Sequence, residues 1–130
     1  MRSIHLLLAV TLALASLPCL GVEYSCNITR KLDSERDYPA DMLAKYQYSV
    51  RIEEGPRGTF VSRCSYSSSE KKVTCDRYQM DKVVFDQNVK IKKYYLFSSQ
   101  FDVQLFPDLS VVENNGRAGL AFGTCRLVSP

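Results

Sequence analysis

The sequence predicts a mainly β domain: a small antiparallel sandwich or barrel of six to eight strands, with at most one short helix and two disulfides. Apolar and polar residues alternate with a period of two along much of the chain. Turn residues recur at short intervals, which is typical of many short strands. Four cysteines lie where they can bridge strands of an exported domain. An α+β arrangement, one helix with an antiparallel meander, is the alternative.

Residues 1–21 are expected to be a signal peptide, followed by a single secreted, β-rich domain over residues 22–130. Arg2 supplies a positive start, residues 5–17 are almost all apolar, and small residues precede the expected cleavage after Gly21. The apolar run is shorter than the roughly 20 residues that cross a bilayer core. No second apolar run reaches that length, so we expect no transmembrane segment.

Loss of the leader restricts the chemistry that remains. The mature chain keeps 109 of the 130 residues, with 16 basic and 14 acidic side chains, four cysteines and no histidine, because Arg2, Cys19 and His5 leave. Nucleophilic catalysis that needs histidine and zinc sites that contain it are therefore excluded. The acidic residues form no motif, and Glu53-Glu54 lies beside a turn, where a solvated surface is expected. We therefore expect neither enzymatic activity nor a cofactor.

The elements of the first half follow from local patterns. Pro39 begins a stretch to Lys45 that can form one or two helical turns. Residues 46–53 alternate cleanly between apolar and polar side chains, which predicts a half-buried strand. Gly55-Pro56-Arg57-Gly58 turns the chain into a second strand over residues 59–66.

The second half continues as strands and turns. Residues 72–85 are rich in strand formers, with a change of phase near 77–81 that predicts a bulge or bend. After the turn at Asp86-Gln87-Asn88, the apolar residues from 89 to 105 share one parity over a length too great for one strand. A bend is therefore expected near Ser98-Ser99-Gln100. Asn114-Asn115-Gly116-Arg117 predicts the last hairpin, because Asn and Gly tolerate positive φ.

The four mature cysteines, Cys26, Cys64, Cys75 and Cys125, allow three connectivities. Cys64 and Cys75 are equidistant from the centre of a polar turn over residues 67–71, so a hairpin places them opposite each other. Cys26 and Cys125 then join the N-terminal segment to the last strand, a clamp that contributes about 4–5 kcal/mol in the loop-entropy account. The pairing of Cys26 with Cys64 and Cys75 with Cys125 stays open.

Two features are candidates for modification and binding. Asn27-Ile28-Thr29 is an acceptor sequence for N-glycosylation on a surface segment. On a strand, Lys90, Lys92 and Tyr94 point to one face. That face would suit a sulfated glycan, an anionic lipid headgroup or an acidic partner. A solvated strand face, on which lysine prevents aggregation, explains the same residues.

These observations together predict a secreted, non-enzymatic binding protein. We expect an extracellular modulator of the defence, reproductive, salivary or venom type, which contacts a macromolecule through a protein or glycan contact surface. Nucleic acid is not expected as a partner, because the mature net charge is only +2. The alternative is a carrier of a small apolar ligand, with aromatic side chains lining a barrel pocket. An enclosed apolar cavity would favour the carrier, and an exposed aromatic patch would favour partner binding.

Overall fold

The computed structural model describes residues 21–129, which form one curved antiparallel sheet, a half-barrel, with a single short helix. In chain order the strands are β1 Val22–Leu32, β2 Ser49–Gly55, β3 Gly58–Ser67, β4 Lys72–Gln79, β5 Lys82–Phe85, β6 Lys92–Leu96, β7 Phe101–Leu105, β8 Ser110–Asn114 and β9 Leu120–Ser129. Helix α1 is Ala40–Tyr46, and a 3₁₀ turn covers Phe97–Ser99. The predicted mainly β class is confirmed, with nine strands where six to eight were expected.

The predicted signal peptide lies outside the described residues, apart from Gly21. Within the described part of the chain, no helix has both the length and the apolar character needed to cross a membrane.

The strand order in the sheet is β4-β3-β2-β1-β9-β8-β7-β6-β5. Its two edge strands, β4 and β5, are consecutive in the chain, and the chain changes partner between them. The Met80 N–H donates to the Thr59 carbonyl on β3, and the Asp81 N–H donates to the Tyr95 carbonyl on β6, both at 2.8 Å. The bend predicted near residues 77–81 is this change of partner, which links the two edges of the sheet.

Strand β1 explains part of the higher strand count. It lies at the centre of the sheet between β2 and β9, yet its sequence is polar enough to suggest a surface segment. A strand with one solvated face tolerates such residues, and Asn27 and Thr29 are indeed exposed. Tyr46 belongs to the end of α1 and not to the following strand, because Gln47 adopts a left-handed conformation with φ of 49°.

The hydrophobic core lies on the concave face of the sheet. It is formed by alternate residues from six strands and from the bend between β4 and β5: Cys26, Val50, Ile52, Val61, Met80, Tyr94, Phe101, Val103, Leu105 and Val111. The convex face is solvated and carries ion pairs such as Arg51–Glu23 at 3.1 Å and Arg77–Glu53 at 3.4 Å. The alternation that predicted the strands therefore also separates the two faces.

Both predicted disulfides are present. Cys26 and Cys125 are register partners on β1 and β9, and Cys64 and Cys75 are register partners on β3 and β4. The first joins residues 99 apart in sequence across the centre of the sheet, and the second fastens the β3–β4 hairpin. The connectivity left open by the sequence is thus decided in favour of the hairpin arrangement.

Candidate functional site

Charged side chains enter the concave face in two places. The Glu54 cluster consists of Glu54, Lys92 and Tyr94. The second place, which we call the Lys31 cavity, is built around Lys31 and Arg63. Arg63 lies opposite Val50 in the register of β2 and β3, and Glu54 follows four residues later on β2. At roughly 3.3 Å per residue, about 13 Å of strand separates the two places.

In the Glu54 cluster every polar group has a partner. The Lys92 ammonium lies 2.9 Å and 3.1 Å from the two carboxylate oxygens of Glu54, and the Tyr94 hydroxyl donates to the same carboxylate. Tyr94 is fully buried. Burial, followed by its hydrogen bond to Glu54, raises the pKa of the Tyr94 phenol. Four strands separate β2 from β6 in the sheet, so only the curvature of the sheet brings these residues together.

This arrangement corrects the binding surface predicted for Lys90, Lys92 and Tyr94. Tyr94 is in the core, and the Lys92 ammonium is held by Glu54. Lys90 lies before β6, in a turn with φ of 59°, and its ammonium is 5.8 Å from the centre of the Phe85 ring. The three residues form no common exposed face, because the strand begins two residues later than expected and its even positions face the concave side.

The Lys31 cavity has a volume of about 230 Å³. Its charged and aromatic lining comes from five elements or loops: Lys31, Tyr48, Arg63, Asp76 and Glu113. Ile28 and Ala121 add apolar surface. The alternative of an apolar-ligand carrier gains no support from this cavity, because charged groups dominate its wall.

A β-bulge aims Lys31 into the cavity. From Tyr24 to Ile28 the even residues of β1 face the concave side. The register with β9 shifts between Ile28 and Arg30, so that Lys31 becomes the partner of Ala121, a buried concave residue. Re-aiming a side chain in this way is a recurrent use of bulges beside functional sites.

The base of the cavity is closed by an ion pair across the sheet. Arg63 donates from Nε and Nη2 to one oxygen of Glu113, at 2.9 Å and 2.7 Å. Only 4% of Glu113 is exposed, so its charge depends on this partner. The Arg63 guanidinium also lies 5.2 Å from the centre of the Phe101 ring. Because the two charges neutralise each other, we assign the pair a supporting role.

Lys31 and Asp76 differ from that pair. Among residues 21–129 neither forms an ion pair, although both line the same cavity. The Lys31 ammonium lies 4.3 Å from the centre of the Tyr48 ring and 5.5 Å from that of Tyr38. Partial burial lowers the pKa of Lys31; the nearby Glu113 carboxylate opposes this effect and the Arg63 guanidinium adds to it.

Beside the cavity lies a group of tyrosines that we call the tyrosine rim: Tyr38, Tyr46 and Tyr48. Their ring centres are 6.3 Å apart for Tyr38–Tyr48 and 5.7 Å apart for Tyr46–Tyr48. All three are half-buried. The Arg36 guanidinium lies 5.0 Å from the Tyr38 ring centre, and the Lys45 ammonium lies 5.3 Å from that of Tyr46. Cations at these distances interact favourably with aromatic faces.

Local structure holds the rim in place. The Tyr38 N–H donates to the Lys31 carbonyl at 2.8 Å, which fixes the loop between β1 and α1 against β1. The left-handed Gln47 ends α1 between Tyr46 and Tyr48, and the Ile28 N–H then donates to the Tyr48 carbonyl at 3.0 Å. The rim is therefore carried by the loop before α1, the last residue of α1 and the residue before β2.

The two charged places were not predicted from the sequence, although some of their residues carried a recognisable pattern. Arg63 and Glu113 share parity with the apolar Val61 and Val111, and Glu54 shares parity with Ile52, so their concave position was visible in the alternation. Lys31 gave no such signal, because the bulge reverses its parity. In the described part of the chain, no group of three His, Cys, Asp or Glu side chains is placed to hold a metal ion.

The predicted glycosylation site lies on the face of β1 opposite the hydrophobic core. Asn27 is exposed on β1 and has Ser49 and Thr124 as its register partners. Its neighbours Cys26 and Ile28 pack in or against the core, so the Asn27 side chain projects from the convex face.

Comparisons with protein-family models, with curated proteins and with solved structures give no match for this chain.

Proposed function

We propose that the protein is a secreted, non-enzymatic binding protein that contacts an extracellular protein through the tyrosine rim. The observation that carries this proposal is the grouping of three half-buried tyrosines with two basic side chains, Arg36 and Lys45, beside the cavity that Tyr48 lines. Tyrosine and arginine are enriched among the residues that dominate protein–protein binding energy. Tyrosine also supplies a large contact area at a low cost in side-chain entropy.

Secretion is supported by the two disulfides and by the leader pattern. Disulfides persist in oxidising compartments and are rare in the cytosol of most organisms. In an exported chain, Asn27 would carry a glycan, because the acceptor sequence is exposed. A glycan there would project from the convex face and leave the tyrosine rim free for a partner.

The absence of a catalytic role is inferred from the chemistry of the site. The most reactive candidate group is the Lys31 amine, whose pKa is lowered by partial burial. It faces tyrosine rings and a carboxylate that is already paired with Arg63. Such surroundings suit recognition of a charged group, and they do not supply the acid, base and nucleophile of a hydrolytic site.

Differential affinity capture tests the proposal. The oxidised protein lacking residues 1–21 is immobilised, exposed to native extracellular fluid and analysed by quantitative mass spectrometry. The double variant Tyr38→Ala/Tyr46→Ala is compared with Tyr95→Ala, a half-buried tyrosine on the convex side of β6. We expect the rim variant to retain about tenfold less of the specific partner than wild type, because it removes two aromatic contacts.

The control variant Tyr95→Ala should capture the partner as wild type does, and circular dichroism should show both variants folded. Equal capture by the rim variant would contradict the proposal. Loss of capture after enzymatic removal of glycans from the fluid would assign the contact to a glycan and not to a protein.

A further inference from the structure

Beyond a macromolecular partner, the Lys31 cavity has the features of a site for a small molecule. Its volume of about 230 Å³ is below the roughly 300–1,000 Å³ of pockets that take drug-sized ligands. The occupant must therefore be small. The charged residues of the wall, Lys31, Arg63, Asp76 and Glu113, carry two positive and two negative charges, so the cavity as a whole favours neither an anion nor a cation.

The distribution of those charges is more informative than their sum. Arg63 and Glu113 neutralise each other at distances of 2.7 Å and 2.9 Å. One cation, Lys31, and one anion, Asp76, remain without an ion-pair partner among residues 21–129 while lining the same cavity. A ligand that carries one charge of each sign would complete both pairs.

From this arrangement we propose that the Lys31 cavity binds a small zwitterion of the α-amino acid type. The ligand carboxylate pairs with the Lys31 ammonium, and the ligand ammonium pairs with the Asp76 carboxylate. Ile28 and Ala121 contact a short aliphatic side chain. The Lys31 ammonium lies 4.3 Å from the centre of the Tyr48 ring, and this contact positions the cation before the ligand arrives.

The partial burial of Lys31 supports this assignment. A lysine that loses water without gaining a counter-ion is destabilising unless a ligand supplies one. The Glu113 carboxylate affects Lys31, yet it is within ion-pair distance of Arg63 and not of Lys31. In the described part of the chain, Lys31 is therefore a half-buried cation that contacts tyrosine rings and has no carboxylate within ion-pair distance.

The direct test is isothermal titration calorimetry with L-valine as the probe. We expect wild type to bind L-valine with a Kd of about 1 mM or tighter. N-acetyl-L-valine lacks the ammonium group and L-valinamide lacks the carboxylate, so each should bind about tenfold more weakly or not at all. Equal binding of either derivative would show a site for one charge only and would overturn the proposal, as would no detectable binding of L-valine.

Matched variants locate the site. Lys31→Gln and Asp76→Asn should each weaken L-valine binding about tenfold, because each removes one of the two pairs. Lys82→Gln on β5 and Asp41→Asn on α1 change exposed charges that do not line the cavity, and they should bind as wild type does. Unchanged binding by Lys31→Gln would refute the assignment. Should a variant not fold, the comparison of the three ligands on wild type still decides the question.

This experiment does not depend on the macromolecular partner. Loss of partner capture in the tyrosine rim variant concerns the surface beside the cavity, whereas calorimetry with L-valine concerns the cavity itself. Partner capture can therefore fail while L-valine binding is observed, and the reverse can also occur.

Discussion

The Glu54 cluster and the Lys31 cavity use similar residues on the same concave face, yet they differ in how their charges are matched. In the Glu54 cluster, one carboxylate serves both Lys92 and the fully buried Tyr94, and no charge is left over. In the Lys31 cavity Arg63 and Glu113 form an ion pair, whereas Lys31 and Asp76 have no ion-pair partner within residues 21–129. The first arrangement is typical of a structural brace, and the second is typical of a site prepared for a ligand.

Both places contain charged side chains, so charge alone does not distinguish a structural brace from a ligand site. The difference is whether each charge has a partner within the protein. A buried charge is tolerated when its partner is close and well oriented, as for Glu113 with Arg63. A partly buried charge without a partner costs stability, and proteins retain such groups where function needs them. The variants below change one pairing at a time, in order of decreasing effect on stability.

The largest effect is expected from Arg63→Met. The change leaves the Glu113 carboxylate buried without its partner, and breaking a buried pair in this way costs about 3–5 kcal/mol of unfolding free energy. Urea denaturation followed by circular dichroism measures the loss. Arg51→Met is the control, because it removes an exposed pair with Glu23 and should cost at most about 1 kcal/mol. Equal losses of unfolding free energy for the two variants would show that the Arg63–Glu113 pair does not stabilise the fold more than an exposed pair does.

A smaller loss is expected from Tyr94→Phe, which removes the hydroxyl that donates to Glu54. The lost hydrogen bond to a charged acceptor costs about 1.5–3 kcal/mol at neutral pH. Urea titrations of the variant and of wild type at pH 7 measure it. A Tyr95→Phe variant, altered on the convex side of the same strand, should stay within about 0.5 kcal/mol of wild type.

The same variant should change the dependence of stability on pH. Burial raises the pKa of Tyr94 above its ordinary value of 10.0, so the folded state keeps this proton at a pH where the unfolded chain loses it. Its contribution to stability is fully present below pH 10 and declines as pH rises further. Wild type should therefore lose more unfolding free energy above pH 10 than Tyr94→Phe does. Parallel pH profiles of the two proteins would contradict the assignment of Tyr94 to the core.

The smallest effect on stability is expected from Asp76→Asn. Asp76 is exposed and has no ion pair in the described part of the chain, so its charge contributes little to the folded state. The unfolding free energy should change by no more than about 0.5 kcal/mol. A loss similar to that of Arg63→Met would show that Asp76 is a structural partner and would remove the distinction between the two places.

The contrast also explains what the sequence could predict. Alternation identified strands after Lys45, and turn residues identified the Asn-Gly hairpin, because each depends on local patterns. A change in the phase of the alternation identified the bend between β4 and β5. The position of Cys64 and Cys75 around one turn favoured the disulfide pairing that the structure shows. Glu54 and Glu113 could have been placed on the concave face by their parity with apolar neighbours.

The position of Lys31 and the contacts between distant strands could not be predicted from local sequence patterns. The bulge in β1 reverses the parity of Lys31, and nothing near residue 29 marks it. Contacts between β2 and β6 and between β3 and β8 depend on the curvature of the whole sheet, which local patterns do not encode. Tyr94 was assigned to a surface because adjacent lysines suggested one, although Lys92 is in fact drawn inward by Glu54.

The most direct test of the difference between the two places is a titration of ¹⁵N-labelled protein with L-valine, followed by two-dimensional NMR. The account predicts that amide shifts change around Lys31, Tyr48, Asp76 and Ala121 and stay constant around Glu54, Lys92 and Tyr94. Shifts centred on the Glu54 cluster, or none at any residue, would contradict it.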